Sequence, residues 1–217
     1  MVRTVKAPEV RREDILAVTA DLFTRNGYEA TSVEQIVRAA AIAKGTFYYY
    51  FPSKRAALEA LARQVVQRMV LASEAVAEQP ALGAIEKICA IFVVQRGVEQ
   101  QERALVDDLH RPGNRALHDQ INIEMIKAIG PVWARVVKQG CDDGVFYVPD
   151  PLSTMQFILA GSQMIFGYGV FDWTAEELKA RQEAMIVLIE RALGAALGSI
   201  SVAIQQALIR EAQRAMS

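Results

Sequence analysis

Thr31-Ser32-Val33-Glu34-Gln35-Ile36 and, shortly after it, Lys44-Gly45-Thr46-Phe47-Tyr48-Tyr49-Tyr50-Phe51 are the stretches that organise the reading of this chain. Thr31 followed three residues later by Glu34 is a capping-box pattern, and it opens a short helix through Ala40. A tight turn at Ala41-Ile42 leads into a very short helix from Ala43 to Tyr50, which Pro52 keeps from continuing. Phe47 and Phe51 lie four apart, share one face, and are expected to anchor this helix to Leu22, Phe23, Val33 and Ile36. The opposite face then offers Lys44, Thr46, Tyr49 and Tyr50. Two short helices joined by a tight turn, buttressed by an earlier helix, form a helix-turn-helix that sets its second helix in the DNA major groove. The side chains suit that task. Lysine bonds guanine edges or phosphates, threonine donates to phosphate or touches a thymine methyl, and tyrosine hydroxyls bind phosphate. Gly45, without a side chain, lets the backbone approach the duplex.

Outward from this segment the pattern is helical throughout. A first helix from Arg11 to Asn26 carries Ile15, Leu16, Thr19, Leu22 and Phe23 on one stripe and stops at Gly27. Ser53 is a good N-cap for a long fourth helix to Ala77. Further helices are expected at 81–96, 100–109 and 114–140, the last bent at Gly130-Pro131, with a loop at 141–149. Val145-Phe146-Tyr147-Val148 is the single short β-like run. Pro151 starts a helix ending near Val170, and another opens after Thr174 with Glu176 and Glu177 in its first turn. Gly194 and Gly198 are expected to interrupt it before a last short helix with Ile200, Ile204, Ala207 and Leu208 on its apolar stripe. The expected fold is all-α, a three-helix head over 1–55 on a larger helical body over 56–217.

Charge supports this division. The first 55 residues hold nine Lys/Arg against six Asp/Glu, a net of +3, while the remainder holds fifteen against nineteen. A basic head on an acidic body fits a polyanion-binding module joined to a part that avoids polyanions. No apolar run approaches the roughly 18 residues that span a bilayer. The basic start Met1 to Lys6 lacks the apolar stretch of a secretory signal, so a cytoplasmic location is expected, with Cys89 and Cys141 as reduced thiols. Glycine-rich phosphate loops, nucleophile elbows and tight metal-ligand spacings are lacking, so neither an enzyme nor a cofactor is expected. Asp107, Asp108, His110, His118 and Asp119 read as a solvated acidic bend rather than a metal centre.

Ile15-Leu16, Leu22-Phe23, Gly27-Tyr28, Thr31-Ser32-Val33, Ile36, Lys44 to Phe51 and Ser53-Lys54 together resemble the head of a tetracycline-repressor (TetR) family regulator. The likeness covers about residues 11–60; from residue 80 onward it extends only to helix number and length. It implies base contacts from Lys44, Gly45, Thr46 and Tyr49 and phosphate contacts from Ser32, Tyr48, Tyr50 and Lys54, with Thr31 capping the helix that faces the DNA backbone. Three positions depart from the family pattern. Ala41 stands where the turn usually has glycine, and a left-handed conformation there costs alanine about 1 kcal/mol. Ala43 replaces the usual serine N-cap, worth about 1 kcal/mol. Tyr50 replaces the usual histidine and still reaches a phosphate.

A reader of palindromic DNA works as a two-fold dimer. The candidate interface is Met155, Ile158, Leu159, Ser162 and Ile165, with Gly161, Gly167 and Gly169 allowing close approach, against Leu178, Met185, Val187, Leu188 and Leu193. The resemblance also implies a small-molecule effector, apolar or aromatic, among the middle helices. Phe92, Leu109, Met125, Ile129, Trp133 and Phe166 are candidate walls, with Arg96, His110, His118 and Asn122 as polar groups. The expected function is a ligand-responsive regulator, a repressor, that binds an operator as a homodimer. The alternative is a helical protein-protein adaptor whose head has drifted, as Ala41 and Ala43 suggest.

Overall fold

The computed structural model describes residues 7–167 and 171–215, and all regular structure there is helical. The elements are α1 (Pro8–Asn26), α2 (Val33–Ala39), α3 (Lys44–Tyr50), α4 (Lys54–Ala77), α5 (Ala84–Gln101), α6 (Arg103–Leu109), α7 (Arg115–Asp142), α8 (Pro151–Phe166), α9 (Ala175–Ala192) and α10 (Ser199–Ala215), with a 3-10 turn at Pro112–Asn114. The continuation of α8 to Val170, with Gly169, falls outside the described residues, as does Met1 to Lys6. The chain divides into two compact units. One takes the chain to Val65 together with Glu102–Ile121; the other takes Val66–Gln101 together with the chain from Asn122 onward.

The first unit is built on Ile15, Leu16, Phe23, Ile36, Phe47, Phe51 and Leu58, each all but sealed from solvent. Phe47 and Phe51 sit side by side with ring centroids 5.7 Å apart, as their spacing predicts. A buried carboxylate ties α6 to the loop after α1. Asp108 Oδ2 accepts the Tyr28 backbone N–H at 2.8 Å, while Arg111 Nε pairs with Oδ1 at 2.9 Å. With both oxygens occupied, Asp108 is a structural group rather than part of a solvated bend.

Ala41 holds a φ of +50°, the left-handed conformation that the turn demands. Alanine pays about 1–2 kcal/mol there, whereas glycine would cost the unfolded chain about 0.4–1 kcal/mol of extra entropy. Ala41 is exposed and loses no packing on truncation. Ala41→Gly is therefore expected to stabilise the protein by about 0.5–1 kcal/mol, read as a higher urea midpoint at unchanged slope.

The second unit packs Ile88, Ile91, Ile129, Val132, Val136, Val137, Phe146, Met155, Leu193 and Ile200 into its core. α7 runs unbroken through Pro131. The β-like run at 145–148 forms no strand. Its backbone turns back on α7, with Val145 and Phe146 N–H both donating to Gly140 O, and Tyr147 N–H donating to Leu193 O. Phe146 lies so close over Gly140 that an added Cβ would stand 2.1 Å from its ring, so only glycine fits there.

α10 is a helix of 17 residues rather than a short one, and it packs along α5 and α9. Ile200 is buried and Ile204 and Ala207 are half-buried; the Leu208 side chain lies outside the described set. Gly194 and Gly198, both at positive φ, make the break before it. Glu190, buried on α9, holds the start of α10: its Oε2 accepts from Gly198 N–H at 2.8 Å, and its Oε1 from Ile200 and Ser201 N–H at 2.9 and 3.0 Å. Burial pushes this carboxyl up, but the three backbone donors together outweigh burial and hold it below the usual glutamate value of 4.5. Stability from a lowered carboxyl is present above the unfolded value and lost as pH falls through the folded one. Glu190→Ala orphans three N–H groups and is expected to cost on the order of 3 kcal/mol at pH 7. In urea titrations the gap from wild type should narrow as pH drops below about 4.5, the unfolded reference.

Candidate nucleic-acid interface

The two short helices of the head are set by their ends. Ser32, not Thr31, caps α2: its Oγ accepts from Gln35 N–H at 3.2 Å, and the Gln35 side chain returns to Ser32 N–H at 2.7 Å. Thr31 is buried and cannot meet DNA; its hydroxyl donates to Gly27 O at 2.8 Å. The capping box therefore sits one residue later than Thr31 with Glu34 implies. α3 starts at Lys44 with no side-chain cap from Ala43.

On α3 the side chains divide cleanly. Phe47 is fully buried, while Lys44, Gly45, Tyr48 and Tyr49 are exposed, Tyr49 at 78%. Thr46 and Tyr50 are half-buried, and Tyr50 stands edge-on to Tyr49 at 5.0 Å. Nothing lies within 4 Å of where a Gly45 Cβ would be, so the backbone there is open to an incoming surface. Ser32 is exposed nearby in sequence at the start of α2. Lys44 Nζ pairs with Glu34 Oε1 at 2.5 Å, joining α3 to α2.

Lys54 is placed differently from a phosphate contact. Its ammonium donates to the backbone carbonyls of Tyr28 (2.7 Å), Thr31 (2.9 Å) and Glu29 (3.4 Å) and lies 4.2 Å from the Tyr28 ring centre. Three protons thus have three acceptors, and the side chain clasps the loop before α2. The sequence carries no signal for this, because the acceptors are backbone atoms.

The candidate effector residues fall in both units. His110 and His118 belong to the first, with ring centroids 4.8 Å apart. Burial, then the neighbouring His118, pushes His110 down to about 4, so it is neutral at pH 7. Phe92, Arg96, Asn122, Met125, Ile129, Trp133 and Phe166 belong to the second. There Ile129 and Trp133 are buried, Asn122, Met125 and Phe166 half-buried, and Phe92 and Arg96 exposed. Trp133 Nε1 is buried with no hydrogen-bond acceptor among the described residues. Cys89 is buried, its thiol pushed up to about 11 by burial and then by Glu86, which makes it unreactive. Among the described residues, no group of three or more His, Cys, Asp and Glu is placed to hold a metal ion. No helix searched is long and apolar enough to cross a membrane.

On α8 and α9 the surface differs from the sequence reading. Met155 and Leu193 are core residues, whereas Val187 and Leu188 (58% exposed) stand in solvent as expected, joined by Phe157 (81%), Met164 (57%) and Leu152, which the sequence pattern does not single out. Phe157, Gly161 and Met164 follow helical spacing, the signal by which this face was there to be found.

Comparison with known proteins agrees with this geometry. Residues 15–61 match the bacterial regulatory proteins of the tetR family, and residues 97–186 match a tetracyclin repressor-like C-terminal domain. The HTH-type transcriptional repressor KstR2 of Mycolicibacterium smegmatis is 24% identical over 148 residues, 66% of this chain and 71% of that protein. The HTH-type transcriptional regulator EthR of Mycobacterium tuberculosis is 39% identical over 67 residues, 31% of each chain. Salmonella enterica GusR shares the fold with a TM-score of 0.61 at 20% identity, covering 89% of this chain and all (100%) of its own. An all-helical chain with a buried-anchor helix-turn-helix, matched in both its head and its body, belongs to the TetR family of bacterial transcriptional regulators, which bind DNA through that head and are not enzymes.

Proposed function

We propose that this regulator is a repressor that binds a palindromic operator as a homodimer and is released by a small apolar or aromatic effector. The observation that carries the reading is the division of α3, with Phe47 sealed in the core while Lys44, Gly45 and Tyr49 face outward. Lys44, Gly45, Thr46 and Tyr49 are the base-reading set, and Ser32, Tyr48 and Tyr50 the phosphate set. Lys54 supports them by holding the loop. Residues 1–55 do the reading and 56–217 the sensing and dimerisation.

The homodimer is supported by α8 and α9, where Phe157, Met164, Val187 and Leu188 leave apolar area in water that a two-fold partner would cover. The effector is supported by Trp133: a buried indole N–H without an acceptor costs about 1–3 kcal/mol, and a ligand bearing a hydrogen-bond acceptor would recover it. Its neighbours along α7, Met125 and Ile129, suit an apolar ligand body. Release follows if effector and operator prefer different arrangements of the dimer, with α4, which runs on past Val65, as the lever.

The test is binding of the purified protein to duplex DNA across 50–200 mM salt. A DNA reader shows log affinity falling linearly with log salt, because phosphate contacts release counterions. The adaptor alternative has no such slope, and a flat or absent response would remove the operator reading.

A further inference from the structure

The Lys44–Glu34 pair places a carboxylate beside a lysine at the start of α3, in the proposed base-reading set. Glu34 lies in the first turn of α2 and Lys44 is the first residue of α3, and both side chains remain more than half exposed while paired at 2.5 Å. Lysine has three N–H donors, so pairing with Glu34 leaves two for a second acceptor. That second acceptor is either charged or neutral. A phosphate oxygen bonded to the same ammonium would stand beside the Glu34 carboxylate, well inside the Debye length of about 8 Å at physiological salt, so the repulsion between the anions is not screened away. Guanine O6 and N7 are neutral acceptors and meet no such repulsion. The mutual character of the pair is visible in both partners: the Lys44 hydrogen bond holds the Glu34 carboxyl low, and Glu34 in turn holds the Lys44 ammonium high.

We propose that Glu34 is a specificity-determining residue: by pairing with Lys44 it makes that lysine a reader of neutral base edges and denies it to phosphate. The inference rests on the reading of Lys44 as a base contact. Glu34 itself is a positioning residue that acts through Lys44. Its loss is therefore expected to strengthen non-specific binding, the opposite of what loss of a DNA contact does.

The experiment compares full-length wild type, Glu34→Gln, Lys44→Ala and the double variant. The probes are a duplex selected from a random pool by the wild type and a scrambled duplex of equal length, with affinities measured by fluorescence anisotropy between 50 and 200 mM KCl. Glutamine keeps the shape of Glu34 and removes only its charge. Glu34→Gln is expected to bind the scrambled duplex about threefold to tenfold more tightly, the scale of two exposed ion pairs in a dimer. Its salt slope on that duplex should steepen by up to about 0.9 per subunit as Lys44 turns to phosphate. The ratio of selected to scrambled affinity should fall by a similar factor. In the Lys44→Ala background the same substitution should change neither ratio nor slope.

A purely structural role for Glu34 would lower the melting temperature and both affinities together while leaving the ratio alone, and that result overturns the proposal. So does an effect of equal size without Lys44, which would make Glu34 a general repulsive charge. Lys44→Ala with undiminished affinity for the selected duplex would overturn the base contact itself. Lys44→Ala with the expected loss, but no change in ratio for Glu34→Gln, overturns the role of Glu34 alone.

Discussion

Replacing Phe157 and Leu188 together by aspartate is expected to turn the proposed homodimer into monomers and to lower affinity for the selected duplex at least a hundredfold. Phe157 is 81% and Leu188 58% exposed on α8 and α9, so neither substitution opens a cavity within the subunit. Each instead places a charge where a partner would desolvate it, and two-fold symmetry doubles the number of such charges. The binding consequence is larger than the interface alone. A dimer engages its second half-site at an effective concentration set by the linkage, which raises affinity about 10²–10⁴ times over a single head. Sedimentation equilibrium reads the first effect and anisotropy on the selected duplex the second. A double variant that stays dimeric would move the interface elsewhere. One that turns monomeric with unchanged operator affinity would remove the two-fold reader.

Phe47→Ala is the second large effect. The ring is fully buried beneath α3, with Phe51 at 5.7 Å and Tyr48 at 5.6 Å. α3 has only seven residues and no side-chain cap, so its position rests on packing rather than on helix propensity. Truncating a buried phenylalanine costs about 3–5 kcal/mol, against a total of about 5–15 kcal/mol for a typical domain. The expected result is a lower urea midpoint and loss of sequence-specific binding. Tyr49→Phe, which removes only an exposed hydroxyl, should leave the midpoint where it was. A Phe47→Ala protein that still binds the selected duplex as wild type does would show that α3 is not held as described.

How far the sequence reaches can be judged at individual residues. Phe47 and Phe51 are legible because helical spacing puts both on one face; the strain at Ala41 is legible only through the family likeness, which has glycine at that turn. The capping box was legible only to within one residue. Thr31-x-x-Glu34 and Ser32-x-x-Gln35 satisfy the same pattern, and the box forms at Ser32, whose Oγ accepts from Gln35 N–H while the Gln35 side chain returns to Ser32 N–H; Thr31 is buried and the Glu34 carboxylate is turned to Lys44. Lys54 reads as one more cation for phosphate, since its carbonyl partners leave no mark in side-chain pattern.

The run Val145 to Val148 has strand composition but no strand to pair with among the described residues, and Gly140 and Leu193 take its backbone donors. Phe157 is harder to place. Its spacing with Gly161 and Met164 marks a helical face, but α8 is rich in apolar residues, and the burial of Met155 decides that this face is the one left outside. Likewise the hold of Glu190 on α10 depends on a glycine-made break whose path no local rule specifies.

The proposal of a two-fold DNA reader is tested most directly by selection of bound duplexes from a random pool by the purified wild-type protein at moderate salt. Enrichment of one inverted repeat is expected, its half-sites centred about 10 base pairs apart or a multiple of that, with a homodimer bound across both. Recovery of no preferred sequence, with binding absent even at low salt, would contradict it.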